Sequence, residues 1–192
     1  SITIPNGVVS ICEDAFFSCD GITSITLPNT VEKIGCASFY DCKSLNFVKM
    51  SECILSIEDV AFVGCDLKTI TLPNSITAIQ DEAFSGCDKL TTITLSNQLE
   101  TISKRAFYGC SSLESITLPE SLKNIGEYAF GDCSKLSTIK VLSTVPPTIN
   151  AKAFNNTPAL TKIIVPKNST NNYKNSGGWQ TYADKIVAST EN

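Results

Sequence analysis

Apolar residues recur along this chain at a spacing of about 23 residues. The repeating unit has the form L-x-x-I-T-L-P-N-x-V-x-x-I-x-x-x-A-F-x-x-C-x-x, and its clearest copy begins at Leu113. The phenylalanines of the unit are Phe16, Phe39, Phe62, Phe84, Phe107, Phe130 and Phe154. Self-similarity at a period of about 20–50 residues indicates a solenoid, in which each unit is too short to enclose its own apolar side chains and neighbouring units complete the burial.

Each unit is predicted to contain one short strand and a turn-rich return. Ile116-Thr117-Leu118 alternates apolar and polar side chains, which is typical of a half-buried strand. Pro119 has no N–H to donate and therefore ends the strand. Leu122 and Ile125 then point into the interior, and acidic residues before the Ala-Phe pair favour the start of a short helical turn.

The strand segments predicted in this way are residues 2–4, 25–27, 48–50, 70–72, 93–95, 116–118, 139–141 and 163–165. Eight parallel strands about 4.8 Å apart make a sheet roughly 34 Å long. Isoleucine, leucine, phenylalanine and cysteine are each expected to stack on their own kind from one repeat to the next. We therefore predict a right-handed superhelix with a parallel β-sheet on its concave face and short helical turns on the other side.

Composition narrows the range of functions. The chain has 192 residues, a net charge of -4 and no histidine. The negative charge argues against nucleic-acid binding, and the missing histidine excludes Ser-His-Asp and Cys-His catalytic arrangements. No run reaches the roughly 18 apolar residues of a membrane-spanning helix, so we expect no membrane insertion. Because no phosphate-binding loop or nucleophile elbow is present either, we expect no enzyme activity, cofactor or metal.

Charge is uneven along the chain. Residues 1–141 carry 10 basic and 17 acidic side chains, whereas residues 142–192 carry 5 basic and 2 acidic ones. Such polarity could steer a charged partner or oppose self-association.

Six of the nine cysteines follow the repeat, namely Cys19, Cys42, Cys65, Cys87, Cys110 and Cys133. This regular spacing differs from the irregular pairs and C-x-x-C clusters of disulfide frameworks and zinc sites. Because Thr157 fills the same position in the last repeat, we expect small, buried free thiols; disulfides between rungs and a metal or redox role are the alternatives. Cys12, Cys36 and Cys53 lie off this ladder, and we expect them to be packed thiols too.

The L-x-x-I-x-L half of the unit resembles the leucine-rich repeat, and the A-F-x-x-C half resembles the BspA-type repeat of bacterial cell-surface proteins. The resemblance covers about residues 1–165, in about seven copies, and implies a leucine-rich-repeat solenoid. One departure is the asparagine that many leucine-rich repeats place three residues after L-x-L; here Asn6, Asn29, Asn74 and Asn97 follow the Pro or Ser that ends the strand. The resemblance also implies export to the cell surface, with adhesion or partner recognition as the function.

The ends of the chain differ from the repeat. Residues 166–192 are similar to the V-P-x-x-S … Y … G-W … I segment that closes bacterial members of this family, so we predict a C-terminal cap. Trp179 is expected to lie over the layer of Phe154 and Leu160, and an aromatic sugar-binding site is the alternative. The array of residues 1–165 begins within a repeat and without a signal peptide, so we expect it to be N-terminally truncated.

The candidate binding surface is the row of side chains that point outward from the middle of each strand. Threonine dominates this row, which suits any exposed β position, but solenoids also bind extended partners on their concave face. The largest departures from the repeat are Phe47 and Lys49, followed by Lys140 beside residues 145–147. We predict a partner-binding face formed by Phe47, Lys49, Thr71, Thr94, Thr117 and Lys140. Phe47 either faces solvent as an anchor or folds down to cover a gap at the following turn.

These observations support two functions of different kinds. The first is a monomeric, non-enzymatic module that binds a protein or a glycan through the concave face. The second is a structural stalk that displays another domain and has no ligand of its own. A binding module should show an exposed aromatic or charged cluster on the concave face, whereas a stalk should show an unbroken row of Thr and Ser.

Overall fold

The computed structural model describes residues 1–190, which form about eight turns of a parallel β-solenoid. Each turn except the last contributes one strand to each of two faces. The strands of the concave face are β1 (Ile2–Thr3), β3 (Ser24–Thr26), β5 (Phe47–Lys49), β7 (Thr69–Thr71), β9 (Thr92–Thr94), β11 (Ser115–Leu118), β13 (Thr138–Val141) and β15 (Lys162–Val165). The strands of the second face are β2 (Ser10–Ile11), β4 (Lys33–Ile34), β6 (Ser56–Ile57), β8 (Ala78–Ile79), β10 (Thr101–Ile102), β12 (Asn124–Ile125) and β14 (Thr148–Ile149).

The concave strands confirm the predicted strand positions and pair in parallel, so that equivalent residues of successive repeats face each other. Ile116 pairs with Ile139, and Thr117 pairs with Lys140. The ladder is interrupted between β5 and β7 and between β9 and β11, although these neighbours remain in contact. The first interruption coincides with the one 22-residue interval, where Cys65-Asp66-Leu67 is a residue shorter than its counterpart in the next repeat.

The second face is a continuous sheet that the sequence did not predict. Its strands pair in the order β14-β12-β10-β8-β6-β4-β2, and each is only two residues long. The second residue of each strand is a buried isoleucine, such as Ile102 opposite Ile125. Two residues are too few to show the alternation that reveals a strand in a sequence.

The segments around the Ala-Phe pair form successive tight turns, and residues 1–165 contain no helix. The predicted short helical turns are therefore absent. Asp14 and Ser18 both have positive φ, which breaks the right-handed helical path. The N–H of Phe17 bonds to Asp14 within the turn, whereas the N–H of Phe16 bonds to the Ser38 carbonyl of the next repeat at 2.8 Å. The turns are thus tied to their neighbours as the strands are.

The predicted phenylalanine ladder forms the centre of the core. Successive rings from Phe16 to Phe154 stack with centroids 5.1–5.5 Å apart, with interplanar angles of 3–12° that widen to 27° at the last pair. The rings of the five internal repeats are fully buried or almost so. Such stacks add a small gain to the free energy of burying each ring, so the stability of one turn depends on the turns beside it.

The cysteine ladder is unbridged, and its thiols have a specific hydrogen-bond partner. The Sγ of Cys87 donates to the Phe62 carbonyl of the preceding repeat at 3.1 Å, and Cys42, Cys65, Cys110 and Cys133 make the equivalent bond at 2.9–3.2 Å. Burial raises the pKa of Cys87 and of Cys133 to about 12. In the last repeat, the hydroxyl of Thr157 bonds instead to Phe154 of its own turn.

The prediction that all the remaining cysteines are packed was wrong for two of them. Cys12 and Cys53 are exposed, and Cys36 is half-buried. Cys53 lies in the irregular turn after β5, where Ser51 replaces the strand-ending proline and its hydroxyl accepts the N–H of Cys53 at 3.1 Å. A turn closed in this way leaves the thiol outside the core.

The C-terminal segment covers the last repeat with three aromatic side chains. It comprises a short 3₁₀ helix at Lys167–Ser169, helix α1 (Thr170–Lys174), a second 3₁₀ helix at Gly177–Tyr182 and strand β16 (Ile186–Ala188), which pairs with β15. Tyr173 and Trp179 are fully buried, and Tyr182 nearly so. The Trp179 ring lies 6.2 Å from Phe154, and its Nε1 donates to the Pro147 carbonyl at 2.7 Å. This burial leaves no face of the Trp179 ring open to a sugar.

Candidate functional site

The strands of the concave face place every second side chain in solvent. Val48 points into the core between the exposed side chains of Phe47 and Lys49, and Ile70 is buried in the same way beside Thr71. Thr94 and Thr117 are also exposed, whereas Lys140 is half-buried. The alternation follows from the pleat of a β-strand, in which successive side chains leave opposite faces of the sheet.

Four of the six predicted site residues line a single groove. This groove encloses about 450 Å³ across β5, β7 and β9, and its walls include Phe47, Lys49, Thr71 and Thr94. It lies where the ladder between β5 and β7 is interrupted. The irregular spacing therefore coincides with the aromatic departure from the repeat.

Phe47 faces solvent rather than the core. Its side chain is 50% exposed, although its neighbour Val48 is buried. It pairs across the sheet with Ser24, a polar residue at the same repeat position. The alternative in which Phe47 folds down to fill a gap is therefore wrong. An exposed aromatic ring beside an ammonium group has the composition of residues that dominate binding interfaces.

The other two predicted residues lie farther along the same face. Thr117 lines a second hollow of about 300 Å³ that it shares with Thr94, so the two hollows adjoin through β9. Lys140 lines two hollows of about 640 and 430 Å³ near β16. The structure thus joins five of the six residues into one strip, and Lys140, which pairs with Thr117 across the sheet, continues this strip at the C-terminal end.

Several lining residues were not predicted from the sequence. Glu52, Asn74 and Asn97 form the edge of the first groove, on the turns that follow the strands. The Oδ1 of Asn74 accepts the N–H of Asn97 at 2.9 Å, and Asn29 holds the N–H of Glu52 in the same way at 3.2 Å. The asparagine that recurs after the strand could have predicted this edge, because an Asn side chain at one repeat position can accept a hydrogen bond from the backbone of the next turn.

In residues 1–190, no three or more Cys, Asp and Glu side chains converge in a way that could hold a metal ion. No helix in that part of the chain has both the length and the apolar character needed to cross a bilayer.

The sequence pattern that defines the BspA type leucine rich repeat region matches residues 1–65 and 55–176, in six copies. No curated protein sequence matches the chain significantly.

Among solved structures, a leucine-rich repeat protein of T. pallidum is 28% identical, with a TM-score of 0.70 over 73% of this chain and 72% of that one. One from Bacteroides ovatus is 25% identical, with a TM-score of 0.50 over 85% of this chain and 63% of its own. A leucine rich cell surface protein of Faecalibacterium prausnitzii shares the fold at 24% identity, with a TM-score of 0.58 over 98% of this chain and 63% of its own. The chain therefore spans less than two thirds of the last two proteins.

Proposed function

The chain belongs to the BspA-type leucine-rich repeat family, and from that premise we propose that it is a non-enzymatic binding module at the bacterial cell surface. It acts as a monomer and recognises a protein or glycan partner through its concave face. Members of this family and its structural neighbours are typically non-enzymatic repeat proteins. The proposed location is supported by the shared fold of the F. prausnitzii cell surface protein.

The exposed ring of Phe47 is the observation that carries this proposal. Packing does not account for the ring, because Ser24, Thr69, Thr92, Ser115 and Thr138 occupy the same position in strands that form without it. A half-exposed aromatic side chain has apolar area available to be buried against a partner, at about 25 cal/mol per Å². Lys49 on the same side of β5 adds a charge within the same groove.

The stalk hypothesis expects an uninterrupted row of Thr and Ser on the concave strands. Phe47 and Lys49 interrupt that row at the largest departure from the repeat, and the groove lies at the same place. This coincidence supports a binding module over a stalk without a ligand.

The test begins by probing an array of extracellular proteins and glycans with the labelled chain to find a ligand. Its affinity is then compared between the parent and Phe47→Ser/Lys49→Thr, which restores the repeat consensus. The matched control is Phe17→Ser/Lys104→Thr. Phe17 is a second half-exposed phenylalanine, stacked on Tyr40 at 5.1 Å on the turn side, so the control removes similar groups away from the concave face.

We expect the concave-face variant to keep its thermal midpoint and to lose at least about tenfold in affinity, as for the loss of one interface anchor. The control should bind like the parent. An equal loss in the control, or unchanged binding in the concave-face variant, would place the ligand elsewhere. Unfolding of Phe47→Ser/Lys49→Thr would show that Phe47 contributes to the core.

A further inference from the structure

The charges on the concave face differ in sign from those of the chain as a whole. Within the described residues, four lysines and one acidic residue, Glu52, line the four hollows given above, although the chain carries a net charge of -4. The lysines are Lys49, Lys140, Lys162 and Lys167. None of the concave strands β1 to β15 contains an acidic residue.

Acidic side chains are concentrated on the opposite, turn-rich side. Asp59, Asp81 and Glu127 recur there at one repeat position, and the Asp59 and Asp81 carboxylates each accept an N–H from the next turn. Several acids are paired with cations on that side, as Glu127 is with Lys152 at 3.3 Å. By contrast, Lys49 and Lys162 form no ion pair within residues 1–190. Their charge is therefore available to an incoming anionic group.

We propose that the partner is an extended, acidic polypeptide segment with apolar side chains among its carboxylates, lying across the concave strands. This inference rests on the proposed binding function and names the chemistry of the partner. Carboxylates would meet Lys49 and Lys162, and apolar side chains would cover Phe47 and Val187, which are both substantially exposed. The acidic turn side repels such a segment, so the field of the whole molecule steers it to one face.

A polypeptide fits this surface better than a densely sulfated glycan. Sites for such glycans are clusters of several basic residues within a short stretch. Here Lys49 and Lys140 lie on β5 and β13, four strands apart, which corresponds to about 19 Å. The exposed side chains of the intervening strands β7, β9 and β11 are threonines and a serine. Each end of the face combines a cation with an exposed apolar side chain, since Phe47 shares a groove with Lys49 and Val187 shares a hollow with Lys162, and this combination matches a chain that carries both acidic and apolar residues.

The probe is a fluorescein-labelled 12-residue peptide of three Glu-Glu-Leu-Leu repeats, which presents both carboxylates and apolar side chains on each face when it is extended. It is titrated with the intact chain by fluorescence anisotropy. A Lys/Leu peptide of equal length and heparin are the comparison ligands, each measured at about 20 and about 150 mM salt. The test variant is Lys49→Thr/Lys162→Thr, in which threonine matches other repeats. The control is Lys33→Thr/Lys104→Thr, which removes the same charge from exposed positions off the concave strands.

We expect the Glu/Leu peptide to bind at least about tenfold more tightly than the Lys/Leu peptide and to weaken as salt rises. The test variant should lose about fivefold in affinity, as expected for two exposed ion pairs, and the control less than about twofold. Equal losses of affinity in both variants would mean that binding depends only on the net charge of the chain, and this would overturn the proposal. Tighter binding of heparin would overturn it in favour of an anionic glycan.

The failure of this proposal can be told apart from failure of the proposed function. If neither peptide binds but an array ligand is lost in Phe47→Ser/Lys49→Thr, the concave face binds a partner of different chemistry. If the Glu/Leu peptide binds and is insensitive to every concave-face substitution, both the partner class and the location of the site are wrong.

Discussion

The hydroxyl of Ser38 lies in the core without a hydrogen-bond partner, so Ser38→Ala is predicted to stabilise the protein. Ser38 is fully buried, and its Oγ is unpaired within the described chain. The same repeat position holds alanine in six other turns, at Ala15, Ala61, Ala83, Ala106, Ala129 and Ala153. The backbone and packing of this position therefore accept a methyl group.

The expected magnitude follows from the desolvation of one hydroxyl. Leaving a buried hydroxyl unpaired costs about 1–3 kcal/mol, and removing its oxygen returns most of that cost. The space left by one oxygen atom reduces the gain slightly, so a net gain of about 1–2 kcal/mol is expected. In a chain of this length, about 2–4 °C of thermal midpoint corresponds to each kcal/mol, which gives a rise of several degrees.

The assay is urea unfolding followed by far-UV circular dichroism, with Trp179 fluorescence as a second probe of the C-terminal end. Two probes are needed because the turns of a solenoid contact only their neighbours and the ends can unfold separately. Ala83→Ser is the matched reverse change, two repeats away, and it should cost a similar 1–2 kcal/mol. Together the two variants test the repeat position rather than one local environment.

A lower midpoint for Ser38→Ala would refute this reasoning, because it would mean that the hydroxyl makes a stabilising bond. An unchanged midpoint in both variants would show that this position tolerates a hydroxyl without cost. Only a gain for Ser38→Ala together with a loss for Ala83→Ser agrees with an unpaired buried group.

Three further predictions concern the thiols, the C-terminal segment and one strained turn. Thiol titration of the denatured protein without reductant should find close to nine free thiols. In the native protein at pH 9, the exposed thiols of Cys12 and Cys53 should react quickly. Cys87 and Cys133 should not react, because they are buried and a pKa of about 12 keeps them protonated. Six or fewer thiols in total would indicate disulfide rungs. Trp179→Ala should lower the free energy of unfolding, followed by circular dichroism, by about 3–5 kcal/mol, because a fully buried ring and its hydrogen bond to Pro147 are lost. A thermal midpoint within about one degree of the parent would contradict that burial. Val60→Asn should raise the free energy of unfolding measured in urea by about 1 kcal/mol, because Val60 has φ 52° and asparagine tolerates that conformation better than a β-branched side chain. A lower free energy of unfolding would mean that the packing of the Val60 side chain contributes more than its backbone strain costs.

The 23-residue repeat made the core positions of this fold predictable, because each of them recurs about seven times in the sequence. A strand such as Ile116-Thr117-Leu118 is short, but its recurrence at one position removes the ambiguity of a single copy. The second sheet escaped prediction because its strands have two residues. The left-handed turns escaped because their positive-φ residues include Asp14, Val60 and Arg105, which do not signal that conformation as glycine does.

The site was predictable only where the repeat supplied a comparison. Phe47 occupies a position that is polar in the other repeats, which identified it as a candidate, but only the structure decided between an exposed ring and one folded over the following turn. Glu52 and Cys53 belong to a turn in which Ser51 replaces proline, and the equivalent turn after Ser96 has Asn97 and Gln98 at these positions, so it did not show that a glutamate and a thiol would be exposed here. Lys140 was expected to be as exposed as Lys49, but the packing of β15 and the C-terminal segment beside it leaves it half-buried.

Ser38 and Phe47 are both departures from the repeat, only nine residues apart, and their surroundings give them opposite meanings. Ser38 is inside, where its unpaired hydroxyl lowers stability and where no partner can reach it. Phe47 is outside, where the strand forms equally well with the serine or threonine of other repeats. The departure at Ser38 is thus explained by folding: the other stacked core positions stabilise the solenoid enough to tolerate the cost of one unpaired hydroxyl. A departure on the concave face has no such folding account, which is why the binding experiments are aimed at Phe47 and Lys49.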